Sequence, residues 1–253
     1  MRSRDQTFLD SFQFANRIGH WLPLLILVSY LSSISSFSKG GVSPKTPFQT
    51  VGESSGIDFE HRNGTQSELW LLEVIGSGAA LLDYDDDGRL DIWFVQSDGV
   101  DHVYRNVTRK GRLSFERVDE TLLSSPADGY GIGIAVGDID NDGDLDVFLA
   151  NYGQNQFYLN DGGQFRRVDT GLELHEDWSV AGSFADYDGD GLLDLYVVNY
   201  VQWQKETHKV CHDMAGRPDY CAPDVFPAAH DRVYRNLGTA RFRDVSEQIG
   251  ITK

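Results

Sequence analysis

Asp83-Tyr84-Asp85-Asp86-Asp87-Gly88-Arg89-Leu90-Asp91 is the stretch on which the reading of this chain turns. It recurs as Asp138-Ile139-Asp140-Asn141-Asp142-Gly143-Asp144-Leu145-Asp146, and again as Asp186-Tyr187-Asp188-Gly189-Asp190-Gly191-Leu192-Leu193-Asp194. The shared pattern is D-x-D-x-D-G-x-x-D, with starts 55 and 48 residues apart. Carboxylates on alternate residues gather oxygens on one side of a tight loop, and the glycine permits a turn that a Cβ would obstruct. This donor set suits a hard cation: Ca²⁺ takes about 6–8 oxygens at roughly 2.3–2.6 Å and tolerates irregular geometry. In the first loop Asp83, Asp85, Asp87 and Asp91 offer side-chain oxygens and Arg89 its carbonyl. The equivalents are Asp138, Asp140, Asp142, Asp144 and Asp146 in the second loop, and Asp186, Asp188, Asp190, Leu192 and Asp194 in the third. The expectation is about three Ca²⁺ ions, one per loop.

An EF-hand begins the same way but closes with a bidentate Glu at position 12, between helices. Position 12 here is Phe94, Leu149 or Val197. The residues that follow each loop, such as Ile92-Trp93-Phe94-Val95, are β-branched and aromatic runs of strand length. The loops therefore join strands, and Asp at position 9 closes each one.

Working outward, a small-residue strand precedes each loop: Gly76–Ala80, Gly131–Ala135 and Val180–Phe184. After each aromatic strand comes Tyr-x-Asn (Tyr104-Arg105-Asn106, Tyr158-Leu159-Asn160, Tyr234-Arg235-Asn236), then a Gly-containing turn, then F-x-x-V starting at Phe115, Phe165 or Phe242. The last pair reads as a hairpin. Four strands per unit at a period near 50 residues is the signature of a β-propeller blade, and small residues suit the crowded strand nearest the axis. Phe48–Val51 repeats the F-x-x-V strand ahead of the first unit, and Phe48–Ile57 shares F-x-x-V-x-E-x-x-G-I with Phe242–Ile251. The expected fold is all-β: an incomplete propeller arc of about three four-stranded blades plus a leading strand. Propellers close with about 4–8 blades, so a truncated chain is the favoured reading, ahead of pairing with a second copy or an open arc.

The third unit carries an insertion at about residues 202–230, with Trp203, Cys211, Cys221 and three prolines. In an exported chain Cys211 and Cys221 read as a disulfide. With His208, His212 and His230 nearby, a Cys/His zinc site is the alternative. A long insertion on a rigid scaffold is either a functional loop or a cover over the neighbouring blade.

The loops, each set between short strands, resemble FG-GAP or VCBS repeats of integrin α-subunit-type propellers. The strings DYDDDGRLDIWFVQ, DIDNDGDLDVFLANYG and FADYDGDGLLDLYVVNYV, with Asp219-Tyr220-Cys221-Ala222-Pro223-Asp224-Val225 in the insertion, resemble bacterial exported ASPIC/UnbV-type repeat proteins more closely. The resemblance covers residues 48–253. It implies an FG-GAP-type β-propeller with Ca²⁺ on the loop aspartates, acting as a recognition or adhesion scaffold.

The chain has 253 residues and a net charge of −17, from 39 acids against 22 bases. Three Ca²⁺ would leave it near −11, which still argues against nucleic acid, whose binders carry a basic face. Residues 1–37 combine Arg2, Arg4 and Arg17, the apolar run Trp21–Leu31 and a serine-rich stretch, the grammar of a signal peptide or an N-terminal membrane anchor. Residues 38–47 form a linker, and 48–253 the propeller region. The expected location is periplasmic, cell-surface or secreted. The expected function is non-enzymatic binding of a protein or glycan. The alternatives are a carbohydrate-active enzyme using Glu60, His61, Glu73, His175, Glu176 or Asp177, and a tethered structural envelope protein.

Overall fold

The computed structural model describes residues 49–118, 129–172 and 175–251. The expected signal or anchor segment, residues 1–37, and the expected linker, residues 38–47, lie outside the described residues.

Three four-stranded antiparallel sheets follow one another along the chain. The first holds β1 (Ala79–Leu82), β2 (Asp91–Phe94), β3 (His102–Asn106) and β4 (Phe115–Arg117). The second holds β5 (Gly129–Gly137), β6 (Asp146–Gly153), β7 (Gln156–Asp161) and β8 (Gln164–Arg167). In the third, β9 (Ser179–Ala185) and β10 (Asp194–Asn199) precede the insertion, with its small hairpin β11 (Cys211–His212) and β12 (Pro218–Asp219). β13 (Arg232–Asn236) and β14 (Phe242–Asp244) complete that sheet. Strand order within each sheet follows chain order once the insertion is set aside. The register repeats too. The residue after each closing Asp faces the Tyr of Tyr-x-Asn, as Ile92↔Tyr104, Val147↔Tyr158 and Leu195↔Tyr234.

The cores lie between the sheets. Leu82, Trp93, Val95 and Val103 of the first pack with Val147, Leu149, Tyr158 and Phe165 of the second. Phe148, Ala150 and Phe157 pack on the other side with Leu195, Val197, Tyr234 and Phe242 of the third. Alternation along β6 sends Val147 and Leu149 one way and Phe148 and Ala150 the other, as a pleated strand buried on both faces requires. Sheets stacked face to face in chain order make a propeller arc. The small-residue strands β1, β5 and β9 are the crowded ones. A Cβ on Gly133 would stand 2.4 Å from the carbonyl oxygen of Val180, closer than any side chain can approach.

The leading strand is corrected. Residues 49–51 form no strand, and Glu53–Ser55 is a single 3-10 turn. In each blade the F-x-x-V strand is paired with the Tyr-x-Asn strand just before it. What the repeat does preserve is the turn after it. Ser55 N donates to Val51 O at 3.0 Å, and Ile249 N donates to Val245 O at 3.1 Å, the latter opening α1 (Ser246–Ile249). Gly56 and Gly250 end the two turns in the left-handed region.

Cys211 and Cys221 are bonded to one another, so their thiolates are not available to zinc. The insertion acts as a cover. Trp203, Val201 and Phe226 pack with Trp178, Ile132, Leu71 and Leu72. Tyr220 Oη donates to the buried Glu73 carboxylate at 2.9 Å, and the Lys205 ammonium sits 4.0 Å over the Trp70 ring. Among the described residues no helix is long and apolar enough to cross a membrane.

Candidate metal centres

Each D-x-D-x-D-G-x-x-D loop joins the innermost strand to the second. Its backbone explains its residues. Position 4 is left-handed in all three loops (Asp86, Asn141, Gly189; φ 53°, 59°, 75°), and so is the position-6 glycine (Gly88, Gly143, Gly191; φ 82°, 101°, 88°). Asp, Asn and Gly are the residues that tolerate this region.

The first aspartate ties the turn. Asp83 accepts from Asp87 N at 3.0 Å and Gly88 N at 2.8 Å; Asp138 accepts from Asp142 N and Gly143 N, and Asp186 from Asp190 N and Gly191 N. The closing aspartate is the buried one: Asp91 and Asp146 are inaccessible and Asp194 nearly so. One oxygen accepts from the loop N–H at position 2 (Tyr84, Ile139, Tyr187) and the other from the backbone N–H of Asn106, Asn160 or Asn236. Burial pushes all three carboxyls up, against the lowering effect of those N–H donors; Asp146 reaches about 7.

Positions 1, 3 and 9 converge. One carboxylate oxygen from each lies within 4.8 Å of the others in Asp83/Asp85/Asp91, Asp138/Asp140/Asp146 and Asp186/Asp188/Asp194. Asp87, Asp142 and Asp190, predicted as ligands, fall outside these groups. Each accepts from the N–H two residues on, at Arg89, Asp144 and Leu192, which is how position 7 is held. The donor set passes a direct test of fit. Asp85 Oδ1 and Asp140 Oδ1 are buried without a hydrogen-bond partner, which leaves an anionic oxygen in want of a positive ligand. Hard oxygen donors of this kind match Ca²⁺.

Two sets of residues in these centres escaped the sequence reading. Arg105 and Arg235, the middle residues of Tyr-x-Asn, reach into their own loops. Arg105 contacts Asp85 at 2.6 Å and Asp87 at 3.3 Å; Arg235 contacts Asp188 at 2.8 Å and Asp190 at 3.0 Å. Arg89 also contacts Asp87 and donates to Asn106 O at 2.7 Å. The Asn of Tyr-x-Asn reaches across blades: Asn160 Nδ2 donates to Tyr84 O at 2.9 Å, and Asn236 Nδ2 to Ile139 O at 2.8 Å. Asn106 donates to Leu90 O of its own loop instead. The fixed recurrence of that Asn was the available signal.

The acid–base candidates fall in separate places, and His175 and Asp177 are joined only through the Asp244–Arg232 pair. His61 hydrogen-bonds Ser97 Oγ at 3.0 Å beside a cleft of about 500 Å³ that includes Asp58, Glu60 and Arg62. Glu73 is held by Tyr220, His175 lies 3.5 Å from Asp244, and Asp177 is paired with Arg232 at 2.6 Å. Glu176 and Asp177 border a separate cavity of about 310 Å³ with Trp178 and Trp203.

With this geometry in place the likeness to known proteins is specific. Residues 83–149 and 138–197 match the FG-GAP-like repeat. The matched span contains all three acidic loops and the first two blades' hairpins. The chain is 28% identical over 104 residues to cartilage acidic protein 1 of Mus musculus and 27% identical over 104 residues to that of Homo sapiens, 41% of this chain in each case. Its likeness to the Xenopus tropicalis protein is 27% over 108 residues. The matched region spans 14–16% of the length of these relatives. The FG-GAP-like repeats support the propeller reading; the relatives do not single out the bacterial ASPIC/UnbV group.

Proposed function

We propose that this chain is a non-enzymatic, exported propeller scaffold whose blade loops are set by Ca²⁺ and whose ends recognise a protein or glycan. The observation that carries the calcium reading is the threefold convergence of position 1, 3 and 9 carboxylates, with orphaned oxygens on Asp85 and Asp140. Carboxylates so close repel, and those that are buried are pushed toward the protonated form. A divalent cation relieves both effects, so its binding energy becomes folding energy. Asp83, Asp85 and Asp91, with their equivalents, would hold the ion; the position-7 carbonyls of Arg89, Asp144 and Leu192 are the expected additional donors.

Export is supported by the disulfide and by the basic-then-apolar start of the chain. A membrane tether through residues 21–37 is the form of the same reading in which the signal is not cleaved. The scaffold role is supported by the FG-GAP-like repeats and by the structural contacts that engage Glu73, Asp177 and His175. The net charge of −17 argues against nucleic acid as the partner.

Chelation tests the calcium reading. Removing Ca²⁺ is expected to lower the melting temperature by roughly 10 °C or more, with full recovery on adding Ca²⁺ back and none with Na⁺. A melt that does not move on chelation overturns it.

A further inference from the structure

The three loops share a pattern but not a charge. The first holds Asp83, Asp85, Asp86, Asp87 and Asp91, and Arg89 and Arg105 lie against its position 3 and 5 carboxylates, a local sum of −3. The third holds four aspartates and Arg235, again −3. The second holds Asp138, Asp140, Asp142, Asp144 and Asp146, a sum of −5, and the residue at the place of the two arginines is Leu159.

We propose that Arg105 and Arg235 are built-in counter-cations that weaken the first and third loops, so that the second loop is the tight divalent-cation site of the molecule. Each guanidinium takes Oδ2 of the position-3 aspartate and touches position 5, so it neutralises carboxylate charge that would attract the cation and repels the cation's own charge. Affinity in such loops follows ligand charge. A guanidinium about 5 Å from a divalent ion weakens binding by about tenfold even at water-like dielectric. The chain then fills in sequence: the middle blade at low Ca²⁺, the flanking blades only at higher concentration. This ranking rests on the calcium reading above.

The test is calorimetric titration of the full chain with Ca²⁺ at low ionic strength, alongside equilibrium dialysis for the number of ions bound. The wild type is expected to show one tight step and two steps about tenfold weaker. Asp140→Asn should abolish the tight step alone. Arg105→Gln with Arg235→Gln should tighten the two weak steps about tenfold; these side chains are 45% and 37% exposed, so the change spares the core. Leu159→Arg should weaken the tight step, although Leu159 packs on the interblade core, so the glutamine variants decide the matter. Three equal steps, or arginine variants that leave the weak steps unchanged or weaken them, overturn the ranking while leaving calcium binding intact. If dialysis shows no bound ion, the calcium reading fails, and the ranking fails with it.

Discussion

Asp101 is the carboxylate that ends the turn between β2 and β3, and it is almost wholly buried. It accepts from Gln96 N and from Trp93 Nε1, both at 2.8 Å. The same place is taken by Asn155, which accepts from Asn151 N, and by Asp231, which accepts from Asn199 N. The role, capping the end of a second strand, is common to all three blades. At Asp101 full burial pushes the carboxyl up, to about 6. The folded chain therefore holds a proton between pH about 4 and about 6 that the unfolded chain has released, and this contribution to stability is lost as pH rises through that window. Asp101→Asn cannot titrate. Urea denaturation from pH 4 to 7 should show the variant with a shallower decline than wild type over this window, and an offset of about 1–2 kcal/mol from the altered Trp93 contact. Parallel curves for the two proteins would contradict the assignment. The recurrence of Asp or Asn three residues before each Tyr-x-Asn tyrosine (Asp101, Asn155, Asp231) was the available signal for the cap, but it does not mark which of the three is a fully buried carboxylate.

At the scale of elements, the strands were legible and the ends of the chain were not. Alternation and aromatic content located β2, β6 and β10, and the hairpin signal of Tyr-x-Asn, Gly and Phe located the outer strand pairs. Residues 49–51 continue the F-x-x-V letters seen at Phe115 yet form no strand: the letters alone do not make an outer strand, which in the blades pairs with the strand before it. The cysteine insertion shows the converse. Its length was plain, but its docking depends on Trp203 meeting Trp178 and Tyr152 with ring centres 5.6 and 5.3 Å away, contacts from distant parts of the chain. The disulfide closes only ten residues of sequence separation, so it orders the hairpin locally. Replacing both Cys211 and Cys221 by serine should cost the hairpin about 2–3 kcal/mol. Limited proteolysis is expected to nick the variant between residues 204 and 221 and leave the three sheets intact. Loss of the whole cooperative melt would show instead that the strap supports the arc.

For the whole molecule, stability is built from two interfaces between successive blades, and the acidic loops sit at the edge of each. The sequence displayed the loops and their count. It did not display that the carboxylates of positions 1, 3 and 9 would converge, since the place of position 5 is set by the left-handed backbone at positions 4 and 6 on either side of it. Asn160 measures the coupling between blades. Its amide reaches Tyr84 O, and its own oxygen accepts from Gly163 N, both in buried surroundings. Asn160→Ala should cost about 1–3 kcal/mol in chemical denaturation, the penalty for unpaired buried groups. Asn106→Ala, which loses an exposed contact within one blade, should cost less than about 1 kcal/mol. Equal losses would mean that the bridge between blades contributes nothing.

Asn160 and Asn236 give the arc a mechanical character. Each grips the carbonyl of position 2 in the preceding loop, the peptide wedged between the position 1 and position 3 aspartates. Bending one blade away from the next therefore pulls directly on the backbone that spaces those carboxylates. Curvature of the arc and aperture of the loop are a single coordinate, and a load applied across the blades is felt at the loop as a change of shape.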